Sequence, residues 1–384
     1  MSWKNVDLEH IRMEFVMLAN EEGMNRSELC RHFHISRKTG YKWLNRYLKE
    51  GLSGLVEQSK RPLTVRNEIS GEVVMEIVEI RNQHPSWGPK KIKEILNRNR
   101  EIKSVPGVSS IARILKRLAL SESKGRGRRK SVPREKVITR ADGCNSIWTV
   151  DFKGWWRLKN GEICEPLTIR DLYSRYVLCV KPMKKKGTSE VEKVFSEIFS
   201  RYGLPDKIRS DNGIPFASVR SPVGFSKLSA WWRTLGIEHE RIRPGHPEEN
   251  GSHERFHRDI AVEIESEPSE NFETETARLE KWRKEYNYIR PNEAIGMKVP
   301  GEVYRRSKKR QTRINFAVYP SEFITETVSK SGCILLEGNC VYISTVFAGL
   351  DVGIQKDSAG LIKIWFCDLV IGTISTNGEF ILTV

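Results

Sequence analysis

Three acidic residues in the middle of the chain, Asp151, Asp211 and Glu254, have the types and settings that metal-dependent chemistry needs. Asp151 lies near the end of an apolar run, 146–152, that predicts a short, largely buried strand. A carboxylate in that place either caps the following turn or binds a cation, because buried carboxylates need a partner. Asp211 ends a second short strand, and Glu254 lies in the first turn of a helix predicted after a Pro/Gly loop. In the order Asp, Asp, Glu, such side chains can converge on two divalent ions.

The stretch from His246 to Arg255 reads His-Pro-Glu-Glu-Asn-Gly-Ser-His-Glu-Arg. Together with the two strand-end aspartates, it resembles the insertion-sequence transposases, which are polynucleotidyl transferases with a retroviral-integrase-type catalytic core. The likeness covers roughly residues 145–303, and weaker likeness continues on both sides. The segment that precedes Glu254 is longer than in much of that superfamily, which leaves Glu248 and Glu249 as alternative ligands. Both lie in the loop rather than on the helix, so we favour Glu254.

The resemblance implies a two-metal reaction on DNA in which Asp151, Asp211 and Glu254 are both the catalytic residues and the metal ligands. Two Mg²⁺ ions about 3.5–4 Å apart activate the attacking oxygen and stabilise the leaving one, and hard carboxylate oxygens suit Mg²⁺. Mn²⁺ is expected to substitute. In the family, water first cuts at the element end and the freed 3′-hydroxyl then attacks target DNA. Five side chains are expected to support the site: Asn212, His246, Asn250, His253 and Arg258.

The formal net charge of +16 over 384 residues indicates a polyanionic partner, and nucleic acid is the one we expect. The length predicts about three or four modules. No apolar run approaches the roughly 20 residues of a membrane span, and the first ten residues lack a secretory pattern. We therefore expect a cytoplasmic protein without a membrane partner. The seven cysteines contain no Cys-x-x-Cys pair and are expected to be reduced.

Residues 1–66 predict a helix-turn-helix DNA-binding domain with a connector. Ser36 is placed as the N-cap of a third helix in which Tyr41, Leu44 and Leu48 would face the core. The alternative is a small helical bundle with a solvated basic face. If the third helix reads DNA, its candidate contact residues are Arg37, Lys38, Lys42, Asn45 and Arg46.

Residues 67–120 predict a second helical unit, and the resemblance implies that it is a second helix-turn-helix domain. Its last helix presents Arg113, Lys116 and Arg117 as DNA-binding candidates. Residues 121–144 form a basic linker, either a solvated tether or a segment that lies along the DNA backbone. The linker's candidate DNA contacts are Arg126, Arg128, Arg129 and Lys130.

Residues 145–303 predict an α/β core in the order β–β–β–α–β–insert–β–α. Parallel pairing of the fourth strand with the first would bring Asp211 next to Asp151, as in the ribonuclease-H-like sheet that the resemblance also implies. A second basic linker, 304–314, leads to residues 315–384, which have three lysines, no arginine and seven acids. Short strand-like runs between glycine turns predict an all-β barrel there, and the resemblance implies an SH3-like one. We expect this acidic part to make subunit contacts.

These patterns favour a multidomain DNA transposase, an Mg²⁺-dependent enzyme that binds the terminal inverted repeats of its element. It would act on double-stranded DNA, both element ends and target, as a homo-oligomer that is at least a dimer on paired ends. A sequence-specific DNA-binding regulator or inactive transposase descendant is the alternative, against which the three intact acids weigh. A structure-specific nuclease of the same fold is a third hypothesis, and two sequence-reading modules disfavour it.

Overall fold

The computed structural model describes residues 8–57, 69–121, 139–218, 221, 224–310, 319–356, 360–375 and 379–382, with only the backbone of Pro247 and Glu248. The chain divides into two compact units, Met1–Ile69 and Ser70–Val384. Within the described residues, no helix is both long enough and apolar enough to cross a membrane.

The first unit has three helices, α1 (Leu8–Ala19), α2 (Arg26–His32) and α3 (Arg37–Glu50), followed by a 3₁₀ turn, Gly51–Leu55. Ser36 caps α3 as predicted, because its hydroxyl accepts the Thr39 N–H at 3.1 Å. The predicted buried face of α3 is wrong in part.

Tyr41 and Leu48 are exposed, whereas Gly40, Trp43 and Leu44 are buried. The close approach at Gly40 explains the difference, since a Cβ atom there would lie 2.6 Å from Cys30 Sγ. The helix therefore packs through the face that carries its glycine.

The second unit begins with another three-helix group: α4 (Gly71–Gln83), α5 (Pro89–Arg98) and α6 (Val108–Arg117). Ile111, Ile114 and Leu115 of α6 are buried, and Leu118, which follows the helix, is exposed. Two ion pairs attach this group to the following core: Lys90–Glu293 at 3.0 Å and Arg98–Glu302 at 2.9 Å. In addition, His84 Nδ1 lies 3.0 Å from Glu285 Oε1.

The core is built on a five-stranded sheet. Its chain order is β1 (Ile147–Phe152), the small hairpin β2 (Trp156–Arg157) and β3 (Ile163–Cys164), β4 (Pro166–Asp171), β5 (Val177–Pro182), β6 (Lys207–Ser210) and β7 (Glu238–Arg241). The strands lie in the order β5-β4-β1-β6-β7. Strands β1, β6 and β7 are parallel to one another, and β4 is antiparallel to both of its neighbours, β1 and β5. The predicted parallel pairing of β6 with β1 is confirmed. The sheet that contains it is ribonuclease-H-like.

Helices cover this sheet: α7 (Thr188–Tyr202), α8 (Lys227–Thr234), α9 (Gly251–Ile260), α10 (Phe272–Tyr288) and α11 (Pro300–Val303). A π-helical turn, Ala261–Glu265, continues α9. The apolar residues of α7 recur at helical spacing and are all buried: Val191, Val194, Phe195, Ile198, Phe199 and Tyr202. A further helix, α8, lies between β6 and β7, and the sequence pattern did not reveal it.

The C-terminal part is all-β, with β8 (Ile324–Thr327), β9 (Cys333–Leu336), β10 (Asn339–Tyr342), β11 (Asp351–Lys356), β12 (Ile362–Phe366), β13 (Leu369–Ile374) and β14 (Phe380–Leu382). These strands form one sheet in the order β14-β13-β12-β11-β8 and a β9–β10 hairpin. Both sheets are open across the strands described, so the expected SH3-like barrel is not confirmed.

The C-terminal part packs on the core of its own chain. Phe225, just before α8, and Ala230 of α8 belong to the same buried cluster as the inner face of the C-terminal sheet. Arg233 of α8 makes a bidentate ion pair with Asp368, in which Arg233 Nε lies 2.8 Å from Asp368 Oδ1. The C-terminal part is therefore attached to the core through Phe225 and α8, which lie between Asp211 and Glu254.

Candidate active site

Asp151 and Asp211 lie side by side because their strands are parallel neighbours. Thr149 pairs with Arg209, and two residues further along each strand come Asp151 and Asp211. Asp211 accepts the Gly213 N–H at 3.1 Å, which fixes the turn after β6. The predicted supporting residue Asn212 donates to the Ile242 carbonyl at 2.7 Å and ties this turn to the chain after β7.

Helix α9 brings Glu254 to the same edge of the sheet. Glu254 is exposed in its first turn, while His253 beside it is fully buried and anchors the helix. Asn250, just before the helix, is buried with its amide nitrogen 3.4 Å from Asp151 Oδ2. Arg258 is exposed one turn beyond Glu254. His246 is half-buried in the preceding loop.

Glu249, one of the alternative metal ligands, is already hydrogen-bonded within the loop before α9. Its buried carboxylate accepts the Arg243 backbone N–H at 2.9 Å and the Arg243 Nε at 2.6 Å. These bonds close the loop before α9 and occupy both carboxylate oxygens. The side chain of Glu248, the other alternative, lies outside the described residues.

The negative charges of Asp211 and Glu254 both act on Asp151. Its pKa is raised to about 7, first by burial and then by the negative charges of Asp211 and Glu254. Among the residues that the structure describes, no three His, Cys, Asp or Glu side chains are close enough together to hold a metal ion. The carboxylates are thus near enough to repel one another but do not close around one point. Their oxygen donors and their mutual repulsion fit a hard divalent cation.

A buried hydroxyl–imidazole network lies behind Asp151, and sequence reasoning missed its centre, Thr168. The Thr168 hydroxyl donates to the Asp151 carbonyl at 2.8 Å. It also lies 2.7 Å from His253 Nε2 and 2.8 Å from His257 Nε2. The other His253 nitrogen is 2.8 Å from the Thr149 hydroxyl. The only signal for Thr168 is the antiparallel register that pairs it with Asp151, and this register follows from the fold.

Both imidazoles in this network are neutral at ordinary pH. Burial, with His257 and Arg170 nearby, holds the pKa of His253 well below its usual value. Burial, followed by Lys153 and Arg170, lowers the pKa of His257 to about 3. A hydroxyl has one proton and two acceptor sites, so Thr168 is satisfied when it donates to Asp151 and accepts from both imidazoles. The network suits positioning of β1 and α9 rather than proton transfer.

Most of the predicted DNA-binding side chains on the two third helices face solvent. These exposed residues are Arg37, Lys38, Lys42, Asn45, Arg113, Lys116 and Arg117. Arg46 is an exception, because it is half-buried and its guanidinium lies 5.2 Å from the centre of the Trp43 ring. The linker candidates Arg126, Arg128, Arg129 and Lys130 lie outside the described residues.

Models of known families match both the helical and the core regions. A helix-turn-helix domain matches residues 11–62, and a homeodomain-like domain matches residues 39–115. Two models of an integrase core domain match residues 141–247 and 235–300. The second of these spans α9 and the end of the core.

The chain is similar to two curated proteins of insertion elements. It is 25% identical over 257 residues to the IS476 uncharacterized 39.2 kDa protein of Xanthomonas euvesicatoria, a match that covers 65% of this chain and 70% of that one. It is 21% identical over 230 residues to the IS407 uncharacterized 31.7 kDa protein of Burkholderia multivorans, covering 59% and 78%. The magnesium complex of the HTLV-2 integrase catalytic core domain in its trimeric form matches 43% of this chain and all of its own, with 19% identity and a TM-score of 0.31.

Proposed function

We propose that this chain, a member of the insertion-sequence transposases with a retroviral-integrase-type core, binds the terminal inverted repeats of its element and catalyses 3′-end cleavage and strand transfer into target DNA. The integrase core is a polynucleotidyl transferase domain. The observation that carries the proposal is the meeting of three acids at one edge of the sheet, where Asp211 and Glu254 both raise the pKa of Asp151.

Asp151, Asp211 and Glu254 are the residues that would hold the metal. When bound, two Mg²⁺ ions, or Mn²⁺ in their place, would supply activation of the attacking oxygen and stabilisation of the leaving one. The half-buried Asp151 is suited to a central ligand, because its backbone carbonyl and its carboxylate are held separately by Thr168 and Asn250. The exposed Glu254 leaves the site open to a DNA strand.

The two helix-turn-helix groups are proposed to read the element ends. A recognition helix needs donors on its outer face and an apolar inner face, and both α3 and α6 have this division. Two readers in one chain lengthen the DNA site. Phosphate contacts from the basic linker would add affinity that falls with salt and does not depend on sequence.

We also propose that at least two copies act together. Insertion of an element joins two 3′-hydroxyls, one from each end, and each chain carries one integrase core. One copy on each end would meet this requirement.

An assay with labelled element-end DNA and Mg²⁺ tests the proposal. The purified chain should first expose a 3′-hydroxyl at the end and then produce joined DNA, and EDTA should abolish both products. Asp151→Asn, Asp211→Asn or Glu254→Gln should lower cleavage about a thousandfold or more and leave end binding nearly intact. End binding by the wild-type chain without any cleavage would instead support the regulator.

Asp206→Asn is a matched control for Asp211→Asn. Asp206 precedes β6 and Asp211 follows it, so the two acids lie at opposite ends of one strand. Asp206 is exposed and pairs with Lys309. The control should keep full activity. Retained activity in Glu254→Gln together with lost activity in Glu248→Gln would show that the third ligand is misassigned.

A further inference from the structure

Two arginines lie together at the start of α9, and neither has a counter-ion among the residues that the structure describes. Arg170 on β4 is 2% exposed, and Arg175 is half-buried in the turn before β5. Arg170 Nη2 donates to the Ser252 hydroxyl at 2.6 Å and to its carbonyl at 2.9 Å, and Arg175 Nη1 donates to the same hydroxyl at 2.5 Å. In the described part of the chain, neither guanidinium has a carboxylate at ion-pairing distance, and the Nε of each is buried without a partner.

This arrangement is electrostatically unfavourable without a ligand. Burial of an unpaired cation costs free energy, and burial lowers the pKa of both Arg170 and Arg175. The two like charges also oppose each other next to the positive end of the α9 dipole. Two acids act on them from a distance, but Asp171 accepts hydrogen bonds from Asn145 and Ser174, and Asp259 pairs with Arg290.

Two open cavities meet at this point, and Arg175 and Ser252 line both. One has a volume of about 610 Å³ and is also lined by Arg140, Arg209 and Lys298. The other has a volume of about 320 Å³ and is also lined by Arg170, Lys91, Arg255 and Arg290. Arg209 and Arg290 are already paired, with Glu240 and Asp259. Three acids, Glu249, Asp259 and Glu293, also line the cavities, but the basic residues outnumber them. Beside Ser252, the Arg170 guanidinium lies 5.1 Å from the centre of the Phe256 ring, and neither it nor Arg175 has an ion-pair partner among the described residues.

We propose that Arg175 and the start of α9 bind a phosphate group of the DNA strand that is being cut or joined, an extension that rests on the proposed function. Arg175, Ser252 and the first N–H groups of α9 touch the phosphate, as helix N-termini commonly do. Arg170 lies behind them, where it holds Ser252 and adds charge.

The sheet sets the distance between this phosphate and the reacting one. Arg170 pairs with Thr149 and Thr168 pairs with Asp151, so two residues, roughly 7 Å, separate the two levels along β4. This is about two base-pair rises along DNA. The site therefore holds a phosphate one or two nucleotides from the scissile one and sets the register of the strand over the carboxylates.

Inorganic phosphate tests the site without reference to cleavage. Melting temperatures of the full chain are measured in chloride and in phosphate at equal ionic strength. Arg175→Asn removes the charge with a residue that tolerates the positive φ of 66° found there. Arg201→Gln, on the exposed side of α7, removes a charge elsewhere. The wild type and Arg201→Gln should gain about 2–4 °C in phosphate, and Arg175→Asn should gain almost nothing.

Binding to random-sequence duplex DNA gives a second readout. The slope of log affinity against log salt should fall by about 0.9 in Arg175→Asn, as for one lost phosphate contact, and should recover in Arg175→Lys. An equal gain in phosphate for all three proteins, or an unchanged slope, overturns the proposal. A variant that melts lower in chloride but keeps the full phosphate gain shows a merely structural Arg175. Neither assay requires cleavage, so transposase activity can fail while the site stands.

Discussion

The two helix-turn-helix groups have the same three-helix pattern but different surroundings. The first, α1–α3, belongs to a compact unit of its own, and its centre is Trp43, whose ring lies 3.8 Å from the Arg12 guanidinium. The second, α4–α6, belongs to the unit that holds the five-stranded core sheet. It centres on Trp87, which stacks on His84 at 3.7 Å, and His84 in turn pairs with Glu285 of the core.

This difference shows that similar local sequence patterns can give either a separate compact unit or a helical group that is attached to the core. The residues that decide between these two outcomes lie on the surface of the core that the second group contacts. Glu263 and Glu285 of the core contact Ser86 and His84 in the turn between α4 and α5. Glu293 and Glu302 pair with Lys90 and Arg98 of α5. If α6 binds DNA as proposed, that DNA is held at a set place relative to the sheet.

The largest expected effect is the contrast between two truncations. Removal of residues 1–69 should leave the melting temperature of the remainder within about 2 °C. Removal of residues 1–121 should cost about 3 kcal/mol or more, because the core surface under the second group becomes exposed and Glu263 and Glu285 lose their polar contacts with Ser86 and His84. Calorimetry of both truncated chains measures this. Equal losses would mean that the second helical group is as independent as the first.

A smaller effect separates two glycines. Gly40→Ala should destabilise the first unit by about 2 kcal/mol, since its Cβ would meet Cys30 Sγ at 2.6 Å and Phe15 Cζ at 2.8 Å. Gly88→Ala, at the start of α5, meets nothing within 4 Å and should cost about 1 kcal/mol or less. Calorimetry should show the Gly40→Ala loss in one transition only. A parallel shift of the whole melting curve would contradict the division into units.

The smallest effect concerns a single ion pair of the second group. Arg98→Ala should cost about 0.5 kcal/mol, because Arg98 and Glu302 are both partly exposed. A double-mutant cycle with Glu302→Gln isolates the pair, and urea melts supply the free energies. A coupling above about 2 kcal/mol would show that this contact dominates the docking of α4–α6.

The sequence was sufficient where local pattern and fold agree. The apolar stripe of α7 has helical spacing and is buried, and the strand-end aspartates come together because parallel neighbours end at one edge. Tyr41 and Leu48 were misplaced because side-chain polarity does not report a close helix approach such as that at Gly40. Thr168, Arg170 and Arg175 were missed because their roles depend on strand register and on Ser252, which is distant in sequence.

The packing of Phe225 and Arg233 against the C-terminal sheet has a consequence for exchanging parts between relatives. A chimera joined near residue 315 would leave Phe225 beside a foreign sheet and Arg233 without Asp368. A tail transplanted together with residues 225–233 of its own chain would bring the matching surface with it. The workable unit of exchange is therefore discontinuous in sequence, and one of its two pieces lies between two proposed catalytic acids.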